Sequence, residues 1–228
     1  MSLTRRTQTI PFNKIVIATI KDEIDQSNFP DNASDMYLNN SRTSICYMLP
    51  KIQTVDINGR PIGSAVSCPT SNISAFPDGI LAPIAQTRPT SVKDSSDALK
   101  IVDDFKFPSE TRFLFTMEVK FIYIVVPNQD GLIALKHFLN SCPVQNPPTN
   151  TLIRLTELVL IQNFFSFHGN VYVQVGGVAR GSKLGSNYVF CWISETSHYS
   201  AIPSTFPCRI RRYIDDIVGA TSLSQFQL

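Results

Sequence analysis

Six of the fifteen prolines stand at positions 50, 61, 69, 77, 83 and 89, and they constrain the first half of the chain more than any other feature. Proline has no amide proton, and its ring collides with the carbonyl four residues back, so no long helix is expected across this stretch. The apolar pieces between the prolines are short: ICYMLPKI at 45–52, RPIGSAV at 60–66 and GILAPIA at 79–85. This part predicts short strands and turns with one helix near 73–84. Residues 1–44 are polar, with one weak amphipathic run at 15–24.

Downstream the periodicities are clearer. Asp94 can cap a helix carrying Ala98, Leu99, Ile101, Val102 and Phe105. RFLFTMEVKFIYIVV at 112–126 is dense in aromatic and β-branched residues and predicts one strand. Asn128 can cap a helix with Leu132, Leu135, Phe138 and Leu139. A proline-rich loop at 142–148 separates it from a helix at 151–162, with Leu152, Leu155, Leu158 and Val159 turned inward. FFSF-HGN-VYVQV predicts a hairpin with a glycine turn. GGVARGSKLG is a glycine-rich loop, and SNYVFCWIS predicts the start of a helix. CRIRRY-IDD-IVGA predicts a second hairpin with both aspartates at its tip. The order is that of a mixed α+β fold.

Composition excludes several classes. Of 228 residues, 43% are hydrophobic, enough for a core and too many for a disordered chain. The net charge of +2 neither requires nor excludes nucleic acid, since a local basic groove can sit within a neutral total. Cys46, Cys68, Cys142, Cys191 and Cys208 are widely spaced and form no C-x-x-C pair. That argues against a disulfide framework or a zinc site and favours a reducing compartment. No stretch approaches the ~20 apolar residues of a membrane span. The apolar run at 15–20 is too short for a signal peptide and meets Lys21 at once. An intracellular protein, nuclear or cytoplasmic and not secreted, is expected.

The residues that suggest chemistry begin with Asp215 and Asp216. Two adjacent carboxylates between Tyr213-Ile214 and Ile217-Val218 can be a polar turn and nothing more. They can also be hard oxygen ligands, because holding two like charges together is unfavourable unless a cation neutralises them, and such ligands suit Mg²⁺. A two-metal site needs a further carboxylate. Glu118, inside an apolar strand, is the best candidate; otherwise it is a strand-edge residue facing solvent. The loop from Gly176 to Lys183 has Gly-Ser-Lys where a phosphate-binding P-loop requires Gly-Lys-Ser/Thr, which argues against that motif. Its glycines can still bring backbone close to a substrate. Arg209, Arg211 and Arg212, with Lys51, Arg60, Arg180 and Lys183, can form a phosphate-facing groove or ordinary solvated surface. His137, His168 and His198 have no metal-ligand spacing.

Four segments, in order, resemble a known family. RRYIDDIVGA resembles the Tyr-x-Asp-Asp turn of reverse transcriptases. RFLFTMEVKFIYIVVP is similar to the preceding palm strand, which in retroelement enzymes reads close to Met-Asp-Val-Lys-Ser-Leu-Tyr-Thr-Asn-Ile-Pro. QVGGVARGSKLGSNY resembles the loop carrying Gly-x-Ala-Met-Gly and a later proline. YMLPKIQTVDINGRPIGSAVSCPT is similar to the fingers segment Leu-Pro-Lys-Ile-His-Lys followed by Arg-Pro-Ile-x-Ser. The resemblance is nearest to Penelope-like retroelements, with other non-retroviral reverse transcriptases next.

The resemblance implies a right-hand polymerase fragment: an antiparallel palm sheet packed on helices, with a partial fingers region and no thumb. It implies a polar extension at 1–44, a fingers-like segment at 45–110 and a palm-like segment at 111–228. It implies addition of deoxynucleotides to a DNA primer on an RNA template, with two Mg²⁺ ions, or Mn²⁺, held by Glu118, Asp215 and Asp216. Lys51 and Arg60 match fingers positions near the triphosphate, and Tyr123 an aromatic gate against a ribose 2′-hydroxyl. Gly177, Ala179, Gly181 and Asn187 would lie against template and nucleotide, and Tyr213 beside the aspartates. The sequence departs from the family pattern with Glu118 in place of Asp, Arg180 in place of Met and Ser186 in place of Pro. It ends at Leu228, soon after the second aspartate, which suggests a truncated copy. The alternative is a non-catalytic retroelement remnant that binds nucleic acid or is inert.

Overall fold

The computed structural model describes residues 3–6, 14, 17–18, 21–22, 36, 38, 40–52, 58–104, 113–141, 146–195 and 208–221. The run at 15–24 and the loop at 142–148 fall partly outside them, and Phe105 wholly. The described residues form a mixed α/β fold of two sheets and six helices, with no closed barrel.

The larger sheet holds β1 (Leu3–Arg6), β2 (Ser44–Lys51), β3 (Asn58–Ser64), β5 (Phe164–Phe167) and β6 (Asn170–Gln174), in the order β1-β6-β5-β2-β3. Its neighbours run antiparallel except β2 and β5, which are parallel and pair only at Ser44–Phe165 and Ile45–Ser166. The smaller sheet is antiparallel throughout: β4 (Phe113–Glu118), β8 (Asp216–Thr221) and β7 (Cys208–Tyr213), in that order.

The helices are α1 (Ser71–Gln86), α2 (Ser95–Asp103), α3 (Ile122–Val125), α4 (Asn128–Asn140), α5 (Thr149–Ile161) and α6 (Gly185–Glu195). The core is largely helical. Leu135, Phe138 and Leu139 of α4 meet Leu152 and Leu155 of α5 and Tyr188, Val189 and Cys191 of α6, all of them buried. α4 and α6 approach so closely that a Cβ on Gly131 would overlap the Tyr188 hydroxyl.

One local expectation is extended and two are corrected. First, the helix expected near 73–84 forms as α1, 16 residues long, and runs straight through Pro77 and Pro83. Each interior proline costs about 3 kcal/mol, but Ile73, Pro77, Leu81 and Ala85 recur every fourth residue and are all buried. Burial of each large apolar side chain contributes roughly 1.5–3 kcal/mol, which offsets the loss. Second, the strand expected over 112–126 stops at Glu118. Phe121 takes a left-handed conformation (φ 58°) and α3 follows. A strand would bury alternate residues, whereas Ile122, Tyr123 and Val126 are buried together at helical spacing. Third, Asn128 is the first residue of α4 and Pro127 is its cap. The Asn128 side chain instead donates to the Val175 carbonyl at 3.5 Å. The expected Asp94 cap forms as read, accepting from the Asp97 amide at 2.9 Å.

Candidate functional site

Two hairpins bring the singled-out residues together. In the smaller sheet Glu118 pairs with Asp216, and Asp216 with Tyr213, so the three cross the sheet in one row. The turn between β7 and β8 is made by Ile214 and Asp215, with Ile214 at φ 52°. The aspartates therefore do not share the tip as expected: Asp215 lies in the turn and Asp216 opens β8, because the strand pairing reaches Tyr213–Asp216. The Asp215 carbonyl accepts from the Val119 amide at 3.0 Å, which ties the turn to the end of β4.

The electrostatics follow from this placement. The Asp216 carboxyl is pushed above the usual carboxylate range, first by partial desolvation, then by the negative charges of Asp215 and Glu118. Two cations answer that charge. Lys51 Nζ stands 3.9 Å from Glu118 Oε1, and Arg180 Nη2 stands 3.9 Å from Asp215 Oδ2. The Arg180 guanidinium also lies 5.0 Å from the centroid of the Tyr123 ring, and the Tyr123 hydroxyl is 3.1 Å from Ser186 Oγ.

Lys51, Arg60, Glu118, Tyr123, Ala179, Arg180 and Asp215 all line one cavity of about 450 Å³ between the β2–β3 hairpin and the turn before α3. Asp216 and Tyr213 are exposed on the sheet face beside it. The carboxylates are of the right kind and neighbourhood for a hard cation. Among the described residues, however, no three His, Cys, Asp or Glu side chains converge as a ready ligand set.

No protein-family model matches the sequence, and no curated protein matches it. The fold does have counterparts among solved structures. The chain superposes on apo telomerase from Candida tropicalis truncated from its C-terminal domain with a TM-score of 0.57 at 9% identity, over 99% of this chain and 53% of that one. It superposes on telomerase from Candida albicans in complex with a fragment of telomeric RNA with a TM-score of 0.54 at 10% identity, over 96% and 45%. The fold is telomerase-like. The chain spans about half the length of the telomerase chains it matches. A telomerase-like fold agrees with the reverse-transcriptase-like fold expected from the sequence motifs. No helix among the described residues is long and apolar enough to cross a membrane.

Other singled-out residues sit differently within this telomerase-like fold. Asn187 donates to Asp78 Oδ1 of α1 at 2.7 Å, and it is not among the residues lining the cavity. The Asp78 carboxyl is raised by burial, against the Asn187 hydrogen bond and the Lys183 charge. Gly177 (φ 74°) leaves no room for a Cβ against the Tyr123 carbonyl, and Gly181 none against the Gly63 carbonyl. These two glycines already have a reason to be glycine in the close approach of backbone to backbone.

Arg212 corrects the expectation of a three-arginine groove. Strand alternation turns it inward with Ile210, and it is buried. Its guanidinium lies 4.0 Å from the Phe190 ring centroid and donates to the Phe190 carbonyl at 3.1 Å and to Ser194 Oγ at 3.3 Å. Its backbone bonds Thr90 and Val92. The alternation was readable in CRIRRY, since Ile210 inward requires Arg212 inward. Ser186, met in the sequence only as a missing proline, holds the Tyr123 hydroxyl. Nothing in the sequence signals that contact.

Proposed function

We propose that this chain is a reverse-transcriptase-type nucleotidyltransferase module, adding deoxynucleotides to a DNA primer 3′ end on an RNA template. The observation that carries the reading is the row of Glu118 and Asp216 with Asp215 at its end, beside a cavity that also takes in Lys51 and Arg60, in a telomerase-like fold. The RNA in the Candida albicans complex supports nucleic acid as a partner.

In this reading the smaller sheet is the palm and the β2–β3 hairpin the fingers. Glu118, Asp215 and Asp216 would hold two Mg²⁺ ions, or Mn²⁺. Bound there, such ions neutralise the triphosphate and lower the pKa of the primer hydroxyl. Lys51 and Arg60 bind phosphate oxygens across the cavity. Tyr123, fixed by Ser186, presents its ring edge to the sugar and excludes a 2′-hydroxyl by bulk. Ala179 lines the cavity beside the incoming nucleotide, Gly177, Gly181 and Asn187 hold the loop and helix start in place behind it, and Tyr213 lies along the primer path. The primer hydroxyl attacks the α-phosphorus, a P–O bond forms, and pyrophosphate leaves. A retroelement origin, nearest to Penelope-like elements, fits the four motifs.

Glu118 in place of Asp extends the carboxylate by one methylene, about 1.5 Å. A misplacement of ~1 Å can slow a reaction ~10²-fold. Primer extension on a poly(rA) template, with Mg²⁺ and then Mn²⁺, tests the reading. Extension by the parent chain is expected to be slow, to rise with Glu118→Asp and to vanish with Asp215→Ala. Extension that survives Asp215→Ala removes the proposed site. The second reading is a non-catalytic nucleic-acid-binding remnant. It is favoured by the pairing of Glu118 with Lys51 and of Asp215 with Arg180, and it predicts RNA binding without extension in all three proteins.

A further inference from the structure

We propose that Arg180 is an exchangeable counter-ion. With the cavity empty it neutralises Asp215; when a polyphosphate enters, it passes to the phosphate oxygens and leaves Asp215 free for a divalent cation. The inference rests on the proposed function above and adds a coupling between two ligands through one side chain.

The geometry supports exchange rather than a fixed pair. The Arg180–Asp215 separation of 3.9 Å is a loose contact, and both side chains are partly open to solvent. An ion pair of that kind contributes little and is readily given up. The Tyr123 ring, 5.0 Å from the guanidinium, holds the charge by its π face in either position. Arg180 shares the cavity wall with Lys51 and Arg60, so an incoming anion meets three positive charges at once. The planar guanidinium can donate two parallel hydrogen bonds to a phosphate, a better match than one carboxylate oxygen at 3.9 Å. Gly181, seated on the Gly63 carbonyl, anchors the backbone next to Arg180, so the exchange needs side-chain rotation only.

The test uses the full chain and two separate probes. Mn²⁺ alone is titrated, with free Mn²⁺ read by electron paramagnetic resonance. Inorganic pyrophosphate is titrated in EDTA, without metal, by calorimetry. Arg180→Gln is expected to bind Mn²⁺ about fivefold more tightly and pyrophosphate about fivefold more weakly, the scale of a part-exposed ion pair. These opposite signs are the signature, because a variant that merely loosens the site weakens both. Arg180→Lys, which keeps the charge but loses the planar fork, is expected to lie between parent and Arg180→Gln on both probes. It decides the question should Arg180→Gln not fold. Mn²⁺ binding that depends on Asp216, judged by its loss in Asp216→Asn, but does not tighten in Arg180→Gln overturns the counter-ion role and leaves the site standing. Mn²⁺ binding indifferent to Asp216→Asn overturns the site and this inference with it.

Discussion

The two hairpins β5–β6 and β7–β8 solve the same turn problem with opposite chemistry. β5–β6 turns through His168 and Gly169 at φ 47° and 74°, with glycine supplying the left-handed freedom that such tight turns require. β7–β8 turns through Ile214 at φ 52°, a β-branched residue for which that conformation is a steric outlier. Backbone strain of this sort persists where the surroundings over-determine it, and it gathers at functional sites. The surroundings here are identifiable. Arg212 ties β7 to α6 and to the 90–92 segment, Val119 binds the Asp215 carbonyl, and the Ile214 side chain packs on the core. By contrast β5–β6 has the stack of Phe165 on Tyr172, with ring centroids 5.8 Å apart. One hairpin has a relaxed turn; the other is held in a strained turn that carries a carboxylate.

The largest break in that comparison comes from the anchors. Arg212→Met strips the buried hydrogen bonds to Phe190 and Ser194, and urea unfolding should show a loss of about 3 kcal/mol. Tyr172→Ala in the other hairpin should lose about 1 kcal/mol, chiefly its ring contact. Equal losses would mean that β7–β8 is no more firmly held than its counterpart.

A smaller and sharper contrast comes from the turns themselves. Gly169→Ala and Ile214→Gly should each destabilise by about 1 kcal/mol, the first by forcing a Cβ into φ 74° and the second by lost packing and added chain freedom. Their effects on primer extension should part: Gly169→Ala leaves it unchanged, while Ile214→Gly lowers it at least tenfold by releasing Asp215. Parallel losses of extension would dissolve the distinction.

The smallest expected effect is a control remote from both turns. The Asp78 carboxyl is raised in the folded protein, so the folded state holds its proton more tightly than the unfolded one. Its contribution favours folding at low pH and fades as pH rises through the carboxylate range. Asp78→Asn keeps an acceptor for Asn187. It should match the parent in thermal melts at pH 3 and exceed it slightly at pH 7. A variant less stable at pH 7 would show that the ionised carboxylate is worth more to α6 than its desolvation takes away.

The sequence disclosed the relaxed hairpin fully and the strained one in part. FFSF-HGN-VYVQV has alternation and a glycine, and local rules suffice for it. CRIRRY-IDD-IVGA shows where a turn must be, but not that Ile214 rather than the second aspartate occupies it, because register is fixed by the partner strand β4. The β-branched run after Glu118 misled, and the helix α1 came out longer than its prolines suggested, for one reason. Burial at helical spacing against α5 and α6 overrode local preference, and no local window contains those partners. The candidate site was legible as residue types: Glu118, Asp215, Lys51 and Arg60 do line one cavity. That Lys51 answers Glu118 and Arg180 answers Asp215 was not legible, since those pairs join segments more than thirty residues apart.

The short parallel pairing of β2 with β5 has a mechanical meaning. Ser44 and Ile45 are the residues of β2 that join it to the rest of the larger sheet, and from there β2 and β3 project together toward Lys51. Seven residue steps make a lever of about 23 Å, so a rotation of 5° at its root carries Lys51 through roughly 2 Å. A displacement at the root of the ribbon would therefore be magnified at its far end, and the Ser44 hydroxyl, donating to the Ser64 carbonyl at 2.7 Å, cross-ties the two strands at that root. The position of Lys51 over Glu118 thus depends on how that root is packed.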